Sequence, residues 1–181
     1  PASTFAKPEN PDTLIFRIMR EPEQRVTALL NNEIQIAQFI PPHLGPRIKS
    51  ATNANLVPTS SVELMFLAMS PKKKPFDNAT ARKAACMAIN RDAIIKAILG
   101  GQAERLDAPI GEGQYAYNPA DAAKMEVPYD PAAAKALLEK AGLVGAEIEL
   151  ETPVGRYVND KQITESMIPM LNAVGFKAKL K

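Results

Sequence analysis

Residues 147–181, EIELETPVGRYVNDKQITESMIPMLNAVGFKAKLK, decide the architecture. Glu147-Ile148-Glu149-Leu150-Glu151 alternates charged and apolar residues with period two, as does Phe176-Lys177-Ala178-Lys179-Leu180-Lys181, so each reads as a half-buried strand. Between them Ile163, Met167, Met170, Leu171 and Val174 recur at helical spacing. Asp160 stands where a helix cap is expected and Gly175 where the helix must stop. Strand, helix and strand in this order predict a right-handed βαβ unit with parallel strands. Period two also collects three glutamates and three lysines on the polar sides of the two strands. In register they would face one another; otherwise they are two separate solvated faces. Pro169 lacks the N–H that a helix interior needs, which predicts a bend there.

Working upstream, Tyr129-Asp130-Pro131 opens another helix, with Asp130 as N-cap, Pro131 in the first turn, and Ala134, Leu137, Leu138 and Ala141 facing inward until Gly142. Phe76-Asp77-Asn78 offers caps for a helix whose Ala81, Ala84, Ala85 and Ala88 form a small-residue face. Asn90 closes that helix and caps the next, which carries Ile94, Ile95, Ile98 and Leu99 before Gly100-Gly101. Residues 102–129 hold Pro109, Gly111, Gly113, Pro119, Pro128 and three of the four tyrosines, a composition that predicts a long ordered loop. Before Pro75 the pattern is β-α-β-α-β. Leu14 to Met19 reads as a buried strand, residues 22–32 as a helix, Ile34 to Ala37 as a short strand, residues 41–50 as a brief helix, and Leu56 to Ser70 as an extended run. Ten of the 16 prolines fall before residue 76, and these short segments do not close into a domain of their own.

Composition narrows the function. With 22 Lys and Arg against 20 Asp and Glu the net charge is only +2, spread along the chain, which leaves no electrostatic footprint for nucleic acid or a membrane surface. Cys86 is the single cysteine, so there is no internal disulfide and no zinc cluster. No apolar run is long enough to span a bilayer, and Pro1 to Pro8 lacks the apolar centre of a signal peptide and reads as a processed or cut end. There is no HExxH, no GxSxG and no phosphate loop with its lysine, and His43 has no carboxylate or thiol cluster beside it in sequence. Gly111-Glu112-Gly113 reads as a turn, Lys72-Lys73-Lys74 as a solvated hinge or loop, and the Asn78-Ala79-Thr80 sequon as a helix start. Neither catalysis, a cofactor nor a metal is expected.

The segment Thr152-Pro153-Val154-Gly155-Arg156-Tyr157-Val158-Asn159-Asp160 lies directly after a strand and before a helix. In open α/β sheets, ligands bind where such loops gather, at the carboxyl ends of the strands. A guanidinium there can hold a carboxylate in a bidentate pair, and a tyrosine can stack on or hydrogen-bond to a small ligand. The alternative is that Arg156 pairs with a local carboxylate and Tyr157 packs on the loop.

Several stretches together resemble the extracytoplasmic solute-binding proteins of the peptide/nickel ABC importers (family 5). They are Lys74-Pro75-Phe76-Asp77-Asn78 through Arg82-Lys83-Ala84, Ala88-Ile89-Asn90-Arg91-Asp92-Ala93-Ile94-Ile95, Tyr129-Asp130-Pro131 with Ala134-Lys135-Ala136-Leu137-Leu138, the loop just quoted, and Gly175-Phe176-Lys177-Ala178. Upstream, Arg25 to Leu30, Glu33 to Ala37 and Leu64 to Met69 are similar to the family's lead into its second lobe. The sequence departs from the family pattern at Gln35, Asn90, Met69 and Pro169. An amide caps a helix as well as an acid does, whereas Met69, where an asparagine is common, alters the cleft.

The resemblance implies an α/β fold of the periplasmic-binding-protein type II, two-lobed, of which this chain holds a middle portion. Residues 1–62 would be the end of lobe I, 63–71 an inter-lobe connecting strand, and 72–181 the first part of lobe II. It further implies a non-enzymatic protein without cofactor, periplasmic or otherwise extracytoplasmic, that captures a peptide or similar small solute and delivers it to the transmembrane subunits of an ABC permease. In the dipeptide-binding branch the positions matching Arg156 and Tyr157 hold the peptide carboxylate, and Met69 would line the cleft. The competing expectation is an autonomous, shortened α/β interaction module that docks through an exposed sheet edge.

Overall fold

Strands β1 (Glu147–Leu150) and β2 (Lys177–Leu180) pair in parallel, with Glu147 opposite Lys177, Ile148 opposite Ala178, Glu149 opposite Lys179 and Leu150 opposite Leu180. The computed structural model describes residues 10–59, 61 and 63–181, and this pair is the one sheet among them. The predicted charge ladder forms at two of its rungs: Lys179 Nζ lies 2.8 Å from Glu149 and Lys181 Nζ 2.9 Å from Glu151. Helix α7 (Asp160–Ala173) makes the crossover and lays Ile163, Met167 and Leu171 on the apolar face of the sheet. Asn172 of that helix bonds the outer edge of β2, accepting from the Ala178 N–H at 2.6 Å and donating to the Ala178 carbonyl at 3.3 Å, so that part of the edge is not open to another strand. Pro169 sits on the exposed side of α7 and the helix runs on through it. Its ring leaves the carbonyl of Glu165 without a donor, and Glu165 is exposed, so water can serve.

The small-residue face of α3 (Ala79–Ala88) packs on α6 (Pro131–Lys140), with Ala81, Ala84, Ala85, Ala134 and Leu138 all fully buried. Alanines let the two helix backbones approach closely, and the core then continues through Ile94 of α4 (Arg91–Ala97) to the sheet. Three of the expected caps are made. Asn78 accepts from Thr80 N–H at 2.8 Å, Asn90 from Ala93 N–H at 2.9 Å, and Asp130 from Ala133 N–H at 2.8 Å. Asn78→Ala should therefore lower stability by about 1 kcal/mol in a urea titration, and Asn78→Asp should leave it nearly unchanged. Ala141, expected to face inward, lies past the end of α6 and is exposed.

The first third differs more from expectation. Helix α1 (Pro22–Leu30) and a short turn of 3-10 helix (Pro42–Leu44) running into α2 (Gly45–Lys49) form as predicted, around a small core of Val26, Leu44 and Ile48. The three predicted strands do not. Leu14 to Met19 is extended yet bare, with Phe16 85% and Ile18 92% exposed, and Ile34 to Ala37 and Leu56 to Ser70 also lack strand partners among the described residues. An apolar run becomes a buried strand only where another strand takes up its backbone groups. Arg25 nevertheless holds the end of the first stretch and the chain just after the second, donating to the carbonyls of Met19 at 2.7 Å, Arg20 at 3.0 Å and Phe39 at 2.9 Å. Within the predicted loop 102–129, Asn118 caps a short helix, α5 (Pro119–Lys124), that buries no residue and so leaves no apolar period to read. Pro1 to Pro8 and Val62, at the expected domain boundary, lie outside the described residues.

Candidate functional site

The loop after β1 is organised by a single carboxylate. Asp160 is 6% exposed, and its Oδ1 accepts from the N–H groups of Gly155 at 3.1 Å and Lys161 at 2.7 Å, while Oδ2 accepts from Arg156 at 3.0 Å and Tyr157 at 3.1 Å. Burial pushes the Asp160 carboxyl up, but the four N–H donors outweigh it and hold the group below the usual carboxylate range. The cap position itself belongs to Asn159, in the left-handed region at φ 56°, so Asp160 is the first helical residue rather than the expected N-cap. Asn159 Nδ2 donates to the Ile98 carbonyl at 2.9 Å and ties the loop to the end of α4. Gly155, at φ 82°, makes the reversal that turns the Arg156 and Tyr157 N–H groups back toward Asp160.

Arg156 and Tyr157 stand together at the outer side of this loop. The guanidinium carbon lies 5.3 Å from the tyrosine ring centroid, a cation–π arrangement. Arg156 is exposed, and among the described residues no carboxylate lies within ion-pair distance of it. The local pairing weighed above is not made, so the fork is presented to whatever enters from solvent. Met69 is half-buried against the main core, and no hydrogen bond or ring contact joins it to this pair.

Other polar groups fall into structural roles. His43 is exposed and 3.5 Å from Glu23. Burial pushes the Cys86 thiol up, with Arg91 acting in the opposite sense, as suits an inert thiol. Gln114 Oε1 accepts from the Gly111 N–H at 2.6 Å, which makes the Gly-Glu-Gly segment a turn. Among the described residues no group of three or more His, Cys, Asp or Glu could hold a metal, and no helix is long and apolar enough to cross a membrane. A depression of about 570 Å³ lined by Lys74, Asp77, Asn78 and Glu147 opens at the amino end of β1, away from the loop.

The sequence profile described as bacterial extracellular solute-binding proteins, family 5 Middle, matches residues 5–181. The chain belongs to this family. Family 5 members are transport proteins that bind solutes, not enzymes. A dipeptide-binding protein of Escherichia coli is 34% identical over 175 residues, which cover 93% of this chain and 32% of the relative. The chain thus spans about a third of the length of the curated relatives it matches. Among solved structures, the dipeptide-binding protein of a Pseudoalteromonas species in complex with Met-Leu superposes with a TM-score of 0.77 at 22% identity, covering 90% of this chain and 32% of that one. The periplasmic binding protein DppA of Helicobacter pylori, in complex with the peptide STSA, gives 0.72 at 25% identity, covering 91% and 31%. The α/β fold is that of the two-lobed periplasmic binding proteins.

The loop residues Arg156 and Tyr157 were visible as candidates from their place between a strand and a helix. What was missed is the agent that shapes the loop. An Asn-Asp pair at the helix start with a glycine five residues earlier is the available signal, since an aspartate there can gather the intervening N–H groups.

Proposed function

We propose that this chain supplies the hinge side and part of the second lobe of a two-lobed protein that captures a peptide in the cleft between its lobes and passes it to an ABC permease from the periplasmic or extracellular side. Residues 1–62 belong to lobe I, 63–71 connect the lobes and 72–181 belong to lobe II. The observation that carries the reading is the exposed Arg156 guanidinium, backed by Tyr157 and free of any carboxylate among the described residues, on a loop braced by Asp160. A planar fork of this kind suits a peptide's terminal carboxylate, and Met69 lines the cleft near the hinge. The bare apolar side chains of Leu14, Ile15, Phe16 and Ile18 are consistent with a larger protein whose further strands cover them. Closure follows because a ligand that touches both lobes stabilises the closed arrangement over the open one.

The test is calorimetric titration of dipeptides into the complete protein. Arg156→Ala should weaken binding by roughly tenfold to a hundredfold, the value of one charge-assisted bidentate contact. Tyr157→Phe should cost about threefold or less, since the ring remains to back the guanidinium. Affinity unchanged in Arg156→Ala would remove Arg156 from the cleft.

A further inference from the structure

Beyond α4 the chain makes an excursion between residues 105 and 127, and the two ends of this excursion are fastened together. Arg91 donates from Nη1 to the Leu106 carbonyl at 2.7 Å and from Nη2 to the Val127 carbonyl at 2.8 Å. Arg105 donates to the Glu126 carboxylate at 2.6 Å and to Asp107 at 3.3 Å, and Asp107 also faces Arg91 Nη1 at 3.1 Å. A planar guanidinium spans two carbonyls at once, which a lysine ammonium does not do with the same geometry. Arg91, Arg105 and Asp107 are all half-buried, so solvent screens this neck less than it would a surface pair.

Within the neck lies a body that comes up beside the connecting segment. Gly111 is buried so closely that a methyl group on it would stand 3.2 Å from Leu106 and 3.8 Å from Leu64. Leu64 lies beside this excursion at Gly111, while Leu67 and Met69 rest on the main core. The α4 stem that presents Arg91 is also the one tied to the Arg156 loop through Asn159 and Ile98. One set of contacts therefore links the connecting segment, the excursion and the candidate site.

We infer that residues 106–126 form a clasped strap on which the connecting segment is seated, and that Arg91 and Arg105 are positioning residues for the solute cleft, acting through the strap. This rests on the two-lobed reading above. A strap opened at its neck no longer holds Leu64, the segment samples more orientations, and a peptide must then order more chain as it binds.

Hydrogen-exchange mass spectrometry and dipeptide titration on the complete protein test this with Arg91→Lys, Glu126→Gln and Gly111→Ala. Gly111 has no positive φ, so alanine there reads the close approach to Leu106 rather than backbone strain. Arg91→Lys and Glu126→Gln should speed exchange roughly tenfold across both 106–126 and 63–70, with α3 and α6 unchanged. Each should weaken dipeptide binding about threefold to tenfold. Gly111→Ala, whose methyl crowds Leu106 at 3.2 Å and meets Leu64 at ordinary contact distance, should likewise speed exchange across 106–126 and 63–70 and weaken binding. Faster exchange confined to the strap, with 63–70 and affinity unmoved, overturns the inference. A wild-type protein that keeps the exchange coupling yet binds no dipeptide overturns the positioning role through failure of the two-lobed reading, and is distinguishable from failure of the strap.

Discussion

Leu138→Ala is expected to lower stability by roughly 3 to 4 kcal/mol, around the middle of the range for a buried leucine. Leu138 is fully buried on α6, the helix that packs on the alanine face of α3, where short side chains cannot swing into the space it leaves. Ala81, Ala84, Ala85 and Ala134 have no side-chain rotamers, and Gly175, whose added methyl would stand 4.0 Å from Leu138 Cδ1, has no side chain at all. The cavity therefore stays open, and the cost of lost contacts adds to the lost burial. Its neighbour Leu137 is only half-buried on the same helix, so Leu137→Ala should cost about 1 kcal/mol. Urea unfolding with an unchanged slope and a lower midpoint reads both. Equal effects at 137 and 138 would mean that α6 does not present the face described.

The second large effect is at Asp160. Asp160→Ala removes the acceptor of four backbone N–H groups in a half-buried loop and should destabilise the protein by about 3 kcal/mol at neutral pH. The effect has a pH signature. Because the folded carboxyl is held below its ordinary value, the stability it contributes is fully present above the ordinary carboxylate range and is lost as pH falls through the depressed folded value. The gap between wild type and Asp160→Asn should be flat from about pH 5 to 8 and should narrow only below about pH 4. A gap that widened in acid would contradict the assignment of the four N–H bonds. Arg156 and Tyr157 donate two of those bonds, so dipeptide affinity should fall in the same variant although the proposed peptide contacts are those of Arg156 and Tyr157 and not of Asp160.

The parts of the fold legible from sequence are those whose determinants are local. The period-two strands around residues 148 and 178, the alanine face of α3 and the caps Asn78, Asn90 and Asp130 all act within a few residues of themselves, and each forms as read. Leu14 to Met19 failed because strand formation needs a neighbour that local composition does not report, and Leu14, Ile15, Phe16 and Ile18 stay exposed. Helix α5 escaped notice because it is capped by Asn118 but buries nothing. At the candidate site, Arg156 and Tyr157 were named from topology. The Asp160 turn and the Arg91 and Arg105 neck were not, because a hydrogen bond from Arg91 to both Leu106 and Val127 depends on a chain path that only the folded structure supplies.

The central claim is that Arg156 meets a peptide's terminal carboxylate, and a cycle of four titrations on the complete protein tests it. A dipeptide and its C-terminal amide are each titrated into wild type and Arg156→Ala. Wild type should prefer the free acid by about tenfold or more, and Arg156→Ala should bind acid and amide within about a factor of two of each other, giving a coupling of at least about 1 kcal/mol. If the preference for the free acid survives intact in Arg156→Ala, another group holds the carboxylate and the assignment is wrong.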